Sequence, residues 1–165
     1  MKKISSLIIS FLLLINISAC TGYKPIFSSS NLEFNIADHS IIGNKKLGNQ
    51  IYSKLYNLSR ATKNSSEAKD IYILINVLKS KNATAKDSAG KILAYKINLS
   101  TTVTVKDFMT NNQILNESFV LSSSYKVQDQ HYETIKLENK SEEDLINKTY
   151  TDLLIKLTEN ILQKW

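Results

Sequence analysis

The chain is poor in the residues that build covalent frameworks and metal centres. Cys20 is the only cysteine, so no disulfide within the chain is possible. His39 and His131 are the only histidines, and neither stands at motif spacing from another metal-ligand residue, so both read as loop histidines. The four glycines form no phosphate-cradling loop, since the lone pair Gly90-Lys91 has no Walker pattern around it. Pro25 is the single proline. The acidic residues gather chiefly around residues 142–144, where the start of a helix accounts for them. No catalytic constellation is left, and neither enzymatic activity nor a bound metal is expected.

Long apolar runs are missing everywhere except at the beginning. Lys2 and Lys3 precede a stretch from Ile4 to Ile17 that Ser5, Ser6, Ser10 and Asn16 interrupt. It is too short and too punctuated for a comfortable membrane span, and it has the layout of a secretory signal. It runs into Ile17-Ser18-Ala19-Cys20, with small residues before the cysteine, the form a lipoprotein signal peptidase accepts. Residues 1–19 are therefore expected to be removed and Cys20 to carry a covalent lipid, with no other cofactor. Several acyl chains, at about 0.8 kcal/mol per buried CH₂, would anchor the chain permanently. An acylated Cys20 could not act as a thiolate nucleophile. The competing interpretation is an ordinary buried cysteine behind an uncleaved anchor.

Residues 20–30 read as a lipidated tether, in which Pro25 favours an extended path and Ser28-Ser29-Ser30 a flexible one. Residues 31–165 are enough for a single modest core. Lys2 and Lys3 are two of 21 basic residues set against 15 acidic ones, so the mature chain keeps a mild positive balance. That balance suits an anionic partner such as a phosphorylated lipid without requiring one, and no nucleic-acid partner is expected.

Leu32, Phe34 and Ile36 alternate with polar residues and predict a short strand. Between Asn44 and Thr62 the period lengthens, with Leu47, Ile51, Leu55 and Leu58 three or four apart, which predicts an amphipathic helix. Ile71 to Leu78 reads as a central strand. Ser80 to Gly90 is small and polar, either an exposed loop or the end of a long hairpin. From Leu93 to Val105 the alternation is clean, and Met109 to Asn112 reads as the connection to another strand, with Phe119, Leu121, Tyr125 and Val127 on one face. Ser141 and the acids Glu142, Glu143 and Asp144 read as the capped start of a last helix, which could begin as early as His131. Two apolar helix stripes and one apolar sheet face predict an α+β two-layer sandwich, β-α-β-β-β-α, with both helices on one side of a mostly antiparallel four-stranded sheet.

The polar strand face and its loops are read as carrying Lys79, Lys81, Lys86, Lys91, Lys96, Lys106 and Lys126. Such ammonium groups can pair with phosphates, or they can simply solvate a sheet and guard its edges.

The lipobox ending at Cys20, the segment Gly22-Tyr23-Lys24-Pro25-Ile26-Phe27 and the closing strand and helix together resemble the LptE family of lipopolysaccharide-assembly lipoproteins, across nearly all of the mature chain. The resemblance implies a plug that sits inside the large β-barrel LptD, assists its assembly and takes part in delivering lipopolysaccharide to the outer leaflet. It implies lipopolysaccharide binding through basic residues, with Lys79, Lys81, Lys86 and Lys91 as candidates. With Thr21 and not aspartate after the cysteine, it also implies sorting to the outer membrane, on the periplasmic side. Two alternatives stand beside it: a pilotin or scaffold lipoprotein for another secretion component, and a periplasmic lipid-transfer module.

Overall fold

In the computed structural model the described residues are 33–61 and 68–164, with side chains described as far as residue 160. The expected signal peptide, Cys20 and the tether lie outside them. The elements follow the expected order: β1 (Phe34–Gly43), α1 (Lys45–Ala61), β2 (Lys69–Lys86), β3 (Ile92–Asp107), β4 (Gln113–Lys126) and α2 (His131–Lys164). The strands form one sheet in the order β1-β2-β3-β4. β1 and β2 run parallel because α1 carries the chain back between them, whereas tight turns join β2 to β3 and β3 to β4 and make those pairs antiparallel.

The two-residue period of the strands decides which face is buried. Ile71, Ile73, Ile75 and Val77 of β2 and Ile97, Leu99, Val103 and Val105 of β3 share one face and are completely buried. Onto that face α1 lays Leu47, Ile51 and Leu55, and α2 lays Leu145, Ile146, Leu153 and Leu157. Phe119 and Leu121 of β4 pack against this core and Tyr125 is buried in it, as their alternation predicts. No described element covers the reverse face.

Three local features depart from the simplest expectations. β1 is longer than the alternation Phe34-Ile36 suggests, because a bulge at Ala37 shifts the register from Ile36↔Ile71 to Asp38↔Tyr72. One extra residue reverses the parity, so Phe34 and Ile36 face the helices before the bulge and His39 and Ile41 after it. Of the two alternatives for residues 80–90, the hairpin holds: β2 pairs with β3 up to Lys86↔Ile92. Third, α2 does not begin at Ser141. It starts at His131, the early limit of the expected range, and Ser141 and Glu142 lie inside it, buried. The cap is upstream, where the Gln130 carbonyl accepts from the N–H groups of Glu133 and Thr134. Thr134 Oγ1 accepts from the Gln128 N–H at 2.9 Å. Asn139, Lys140 and Ser141 are tolerated within the helix because tertiary contacts on both sides of them outweigh their modest propensities.

The β1–α1 junction is equally specific. Gly43 adopts φ +76°, Asn44 N donates to Val77 O at 2.7 Å, and Asn44 Oδ1 caps α1 by accepting from the Leu47 N–H at 3.1 Å.

Candidate functional site

Two faces of the sheet carry the polar residues that the sequence singled out, and they do different things. Lys79 and Lys81 continue the odd-numbered parity of Ile71, Ile73, Ile75 and Val77, so their side chains turn toward α2 and away from the open face, where they were expected. β2 outruns the apolar core at Val77, and the next two inward positions are lysines that meet the first half of α2. Lys79 Nζ pairs with Glu142 and, at 3.4 Å, with Glu138; Lys81 Nζ pairs with Glu138. Lys46 of α1 reaches the same Glu142 at 3.7 Å. Tyr125 Oη donates to Glu138 Oε2 at 2.8 Å. Lys81 also lies 4.3 Å from the ring centre of Tyr95, a cation–π contact, and Tyr95 packs on Tyr125 with ring centres 5.8 Å apart.

The network explains why residues 131–140 stay helical: two glutamates one turn apart are held by lysines two apart on a strand. Burial alone would raise the Glu138 carboxyl, but hydrogen bonds from Lys81 and Tyr125 outweigh it and hold its pKa below the ordinary 4.5. Burial would likewise lower Lys81, and its bond to Glu138 wins and raises it. Because the folded state binds the Glu138 proton more weakly than the unfolded chain does, this contribution to stability is complete above the ordinary carboxyl pKa and drains away as pH falls below it. The urea midpoint is therefore expected to drop between about pH 5 and 3, and Glu138→Gln is expected to flatten part of that drop. Identical pH profiles for the two proteins would contradict it.

Lys86 and Lys91 lie elsewhere, on the exposed turn at the far end of the β2–β3 hairpin. Asp87 shapes that turn, its Oδ1 accepting from the N–H groups of Ala89 and Lys91, each at 2.9 Å, and Gly90 takes φ +83°. Neither lysine enters an ion pair among the described residues. Of the four lysine candidates the structure thus groups Lys79 with Lys81 inside a network and Lys86 with Lys91 at a free tip.

The open face carries Lys96, Lys106 and Lys126 as expected, among a field of small polar residues. Thr102 and Ser118 share a hydrogen bond at 2.8 Å, Thr104 Oγ1 donates to Asn116 at 3.0 Å, and Asn98 Nδ2 donates to Ser80 at 3.4 Å. Exposed apolar residues interrupt that field: Leu78 and Val120 flank Ser100 in one cross-strand row, and Ile42 lies beside Asn76. Between the two helices a groove of about 620 Å³ opens to solvent, lined by Lys46, Gln50, Ser53, Asn139 and Glu142 with Ile146. His39 stacks on Tyr52 at 3.8 Å and His131 is exposed at the start of α2. No cluster of metal-ligating residues occurs among the described residues, and none of the described helices is long and apolar enough to cross a membrane.

Solved structures with the same arrangement exist. The uncharacterized lipoprotein B from Nitrosomonas europaea superposes with a TM-score of 0.56 at 15% identity, covering 81% of this chain and 88% of that one. The minor lipoprotein from Acinetobacter baumannii gives 0.52 at 14%, covering 77% and 94%. The chain shares their fold. No family model and no curated protein matches the sequence.

Sequence reasoning missed Glu138, Glu142 and Tyr125 as partners of the lysines. The signal was present in the parity of β2: Lys79 is two residues from Val77, so it had to face whatever covers Val77.

Proposed function

We propose that the chain is an outer-membrane lipoprotein, anchored through lipid on Cys20, that acts without catalysis as a plug and assembly partner of a large β-barrel of the LptD kind and helps deliver lipopolysaccharide to the outer leaflet. The observation that carries this is the open sheet face. It is a broad surface rich in hydrogen-bonding Thr, Ser and Asn side chains that no described element covers, chemically suited to the polar lumen of a barrel. The fold shared with proteins described as lipoproteins supports the anchor.

Length supports the placement. β2 has 18 residues, which at ~3.3 Å each span roughly 55–60 Å, more than the 40–45 Å or so of a whole bilayer. A domain standing upright in a lumen would carry the Lys86–Lys91 tip from one leaflet to the level of the other. There the two ammonium groups meet lipid A phosphates, while Lys79 and Lys81 hold α2 in place. The lipid-carrier alternative has less behind it, because core side chains fill the space between helices and sheet, and the groove outside it is open to solvent and bordered by charged side chains such as Lys46, Lys54 and Glu142. A pilotin is separated from a plug by its partner.

The test is a detergent pull-down from outer membranes with partners identified by mass spectrometry. One large barrel protein is expected, and recovery of a secretin, or of no barrel at all, would sink the plug. The double variant Thr102→Arg/Val120→Arg, both on the open face, should fold normally yet recover roughly tenfold less barrel, the equivalent of about 1.4 kcal/mol. Lys86→Glu/Lys91→Glu should leave barrel recovery intact and weaken lipopolysaccharide binding by roughly tenfold. Unchanged binding would leave those lysines as solubilising charges.

A further inference from the structure

We propose that the β3–β4 turn is a membrane-surface contact, with Phe108 and Met109 entering the headgroup region of the leaflet that holds the lipid. The proposal rests on the anchor proposed above and adds which end of the domain faces the bilayer and through which side chains.

The turn is tightly built. Asp107 Oδ1 accepts from Met109 N at 3.0 Å, from Thr110 N at 2.7 Å and from Thr110 Oγ1 at 2.9 Å. Asp107 N donates to Asn112 O, Asn111 N donates to Asp107 O, and Asn111 takes φ +58°. These bonds need only Asp107, Thr110 and the backbone. Nothing in them requires large apolar residues, yet Met109 is 82% exposed and Phe108 47% exposed. Turn tips ordinarily favour small polar residues, so the fold leaves this pair unexplained. A bilayer interface accounts for it, because an aromatic ring and a flexible thioether both partition into that region.

Position is the second observation. Phe108 N donates to Asp70 O at 2.9 Å, and Asn35 Nδ2 donates to Asp70 Oδ1 at 2.7 Å. The turn therefore lies at the end of the sheet where the chain enters at Glu33, beside the first residues of β1 and β2. Cys20 and Glu33 are 13 positions apart, a separation that a flexible chain spans on average by about 20 Å and when taut by about 45 Å. The opposite end of the sheet is farther than either. A lipid on Cys20 consequently keeps the Phe108–Met109 end within reach of its leaflet.

Lys69 and Lys106 beside the turn are set against Glu33, Asp70 and Asp107, so no cationic excess stands there to draw an anionic surface. The contact is therefore apolar in origin, needs no anionic lipid and is insensitive to salt.

The experiment uses the lipidated chain reconstituted into phosphatidylcholine vesicles. Acylation blocks Cys20, so Met109→Cys offers a single site for a polarity-sensitive fluorophore, and Val120→Cys on the open face serves as reference. The label at 109 should shift to the blue and be quenched by brominated lipid at low and high salt alike, while the label at 120 keeps its aqueous emission. An unshifted label at 109 overturns the proposal. So does a shift that appears only when a barrel protein is added, which would assign the turn to a protein contact. A mass spectrum of the native chain without acyl groups removes the anchor itself and the proposal with it, a failure distinct from that of the turn.

Discussion

Replacing Gly43 with alanine is expected to lower the free energy of unfolding by about 2–4 kcal/mol, the sum of backbone strain and overpacking. Gly43 sits at φ +76°, a conformation that side chains with a Cβ adopt only under strain. A Cβ there would stand 2.2 Å from Val77 O and 3.1 Å from Val77 C. Those atoms are backbone in the middle of the buried strand β2, so they cannot swing aside as a side chain could. The junction would have to open, and with it the bond from Asn44 N to Val77 O and the cap that Asn44 places on α1. Gly90 provides the control. Its φ of +83° is similar, but nothing lies within 4 Å of the added carbon, so Gly90→Ala should cost only about 1–2 kcal/mol. Urea denaturation of both variants measures the difference, and equal midpoints would mean that the Gly43 contact relaxes without consequence.

The largest effect on behaviour, as opposed to stability, is expected from Cys20→Ser. Serine offers no sulfur for a thioether, so neither lipidation nor the processing that depends on it can follow. One acyl chain gives only marginal, reversible membrane binding, and two or more give a lasting anchor, at about 0.8 kcal/mol per buried CH₂. Removing all of them should move the protein from the membrane pellet to the soluble fraction, or leave it as an uncleaved precursor. The two exposed side chains of the β3–β4 turn would supply a weak residual affinity and no more. Fractionation followed by intact-mass measurement distinguishes these products. A processed variant that still resists extraction from the membrane would show that something other than this cysteine holds it.

The expected and observed structures agree where one physical signal acts alone. The stripe Leu47, Ile51, Leu55 and the alternation from Ile97 to Val105 each identify their element and its buried face without help from the rest of the chain. They diverge where two signals compete. Ser141 with Glu142 and Glu143 has the composition of a helix cap, and in a shorter helix it would be one. Here the same glutamate is an ion-pair partner, because Lys79 projects from a strand toward it. For residues 80–86 composition left a loop and the end of a long hairpin both open, and the hairpin holds because β3 is long enough to pair with them.

The amino-acid order by itself determined the element types, the single buried sheet face and the candidate lipidation site, since each depends on the spacing of neighbours along one segment. It also determined that Lys86 and Lys91 would be exposed, because the stretch between them is too polar to bury. Only the tertiary structure decided the strand order, the parity switch at Ala37, the pairing of Lys79 and Lys81 with Glu138 and Glu142, and the shared end of the sheet at which the chain enters and Phe108 and Met109 protrude. Those depend on which residues distant in sequence come to lie opposite one another, and a local period contains no term for that.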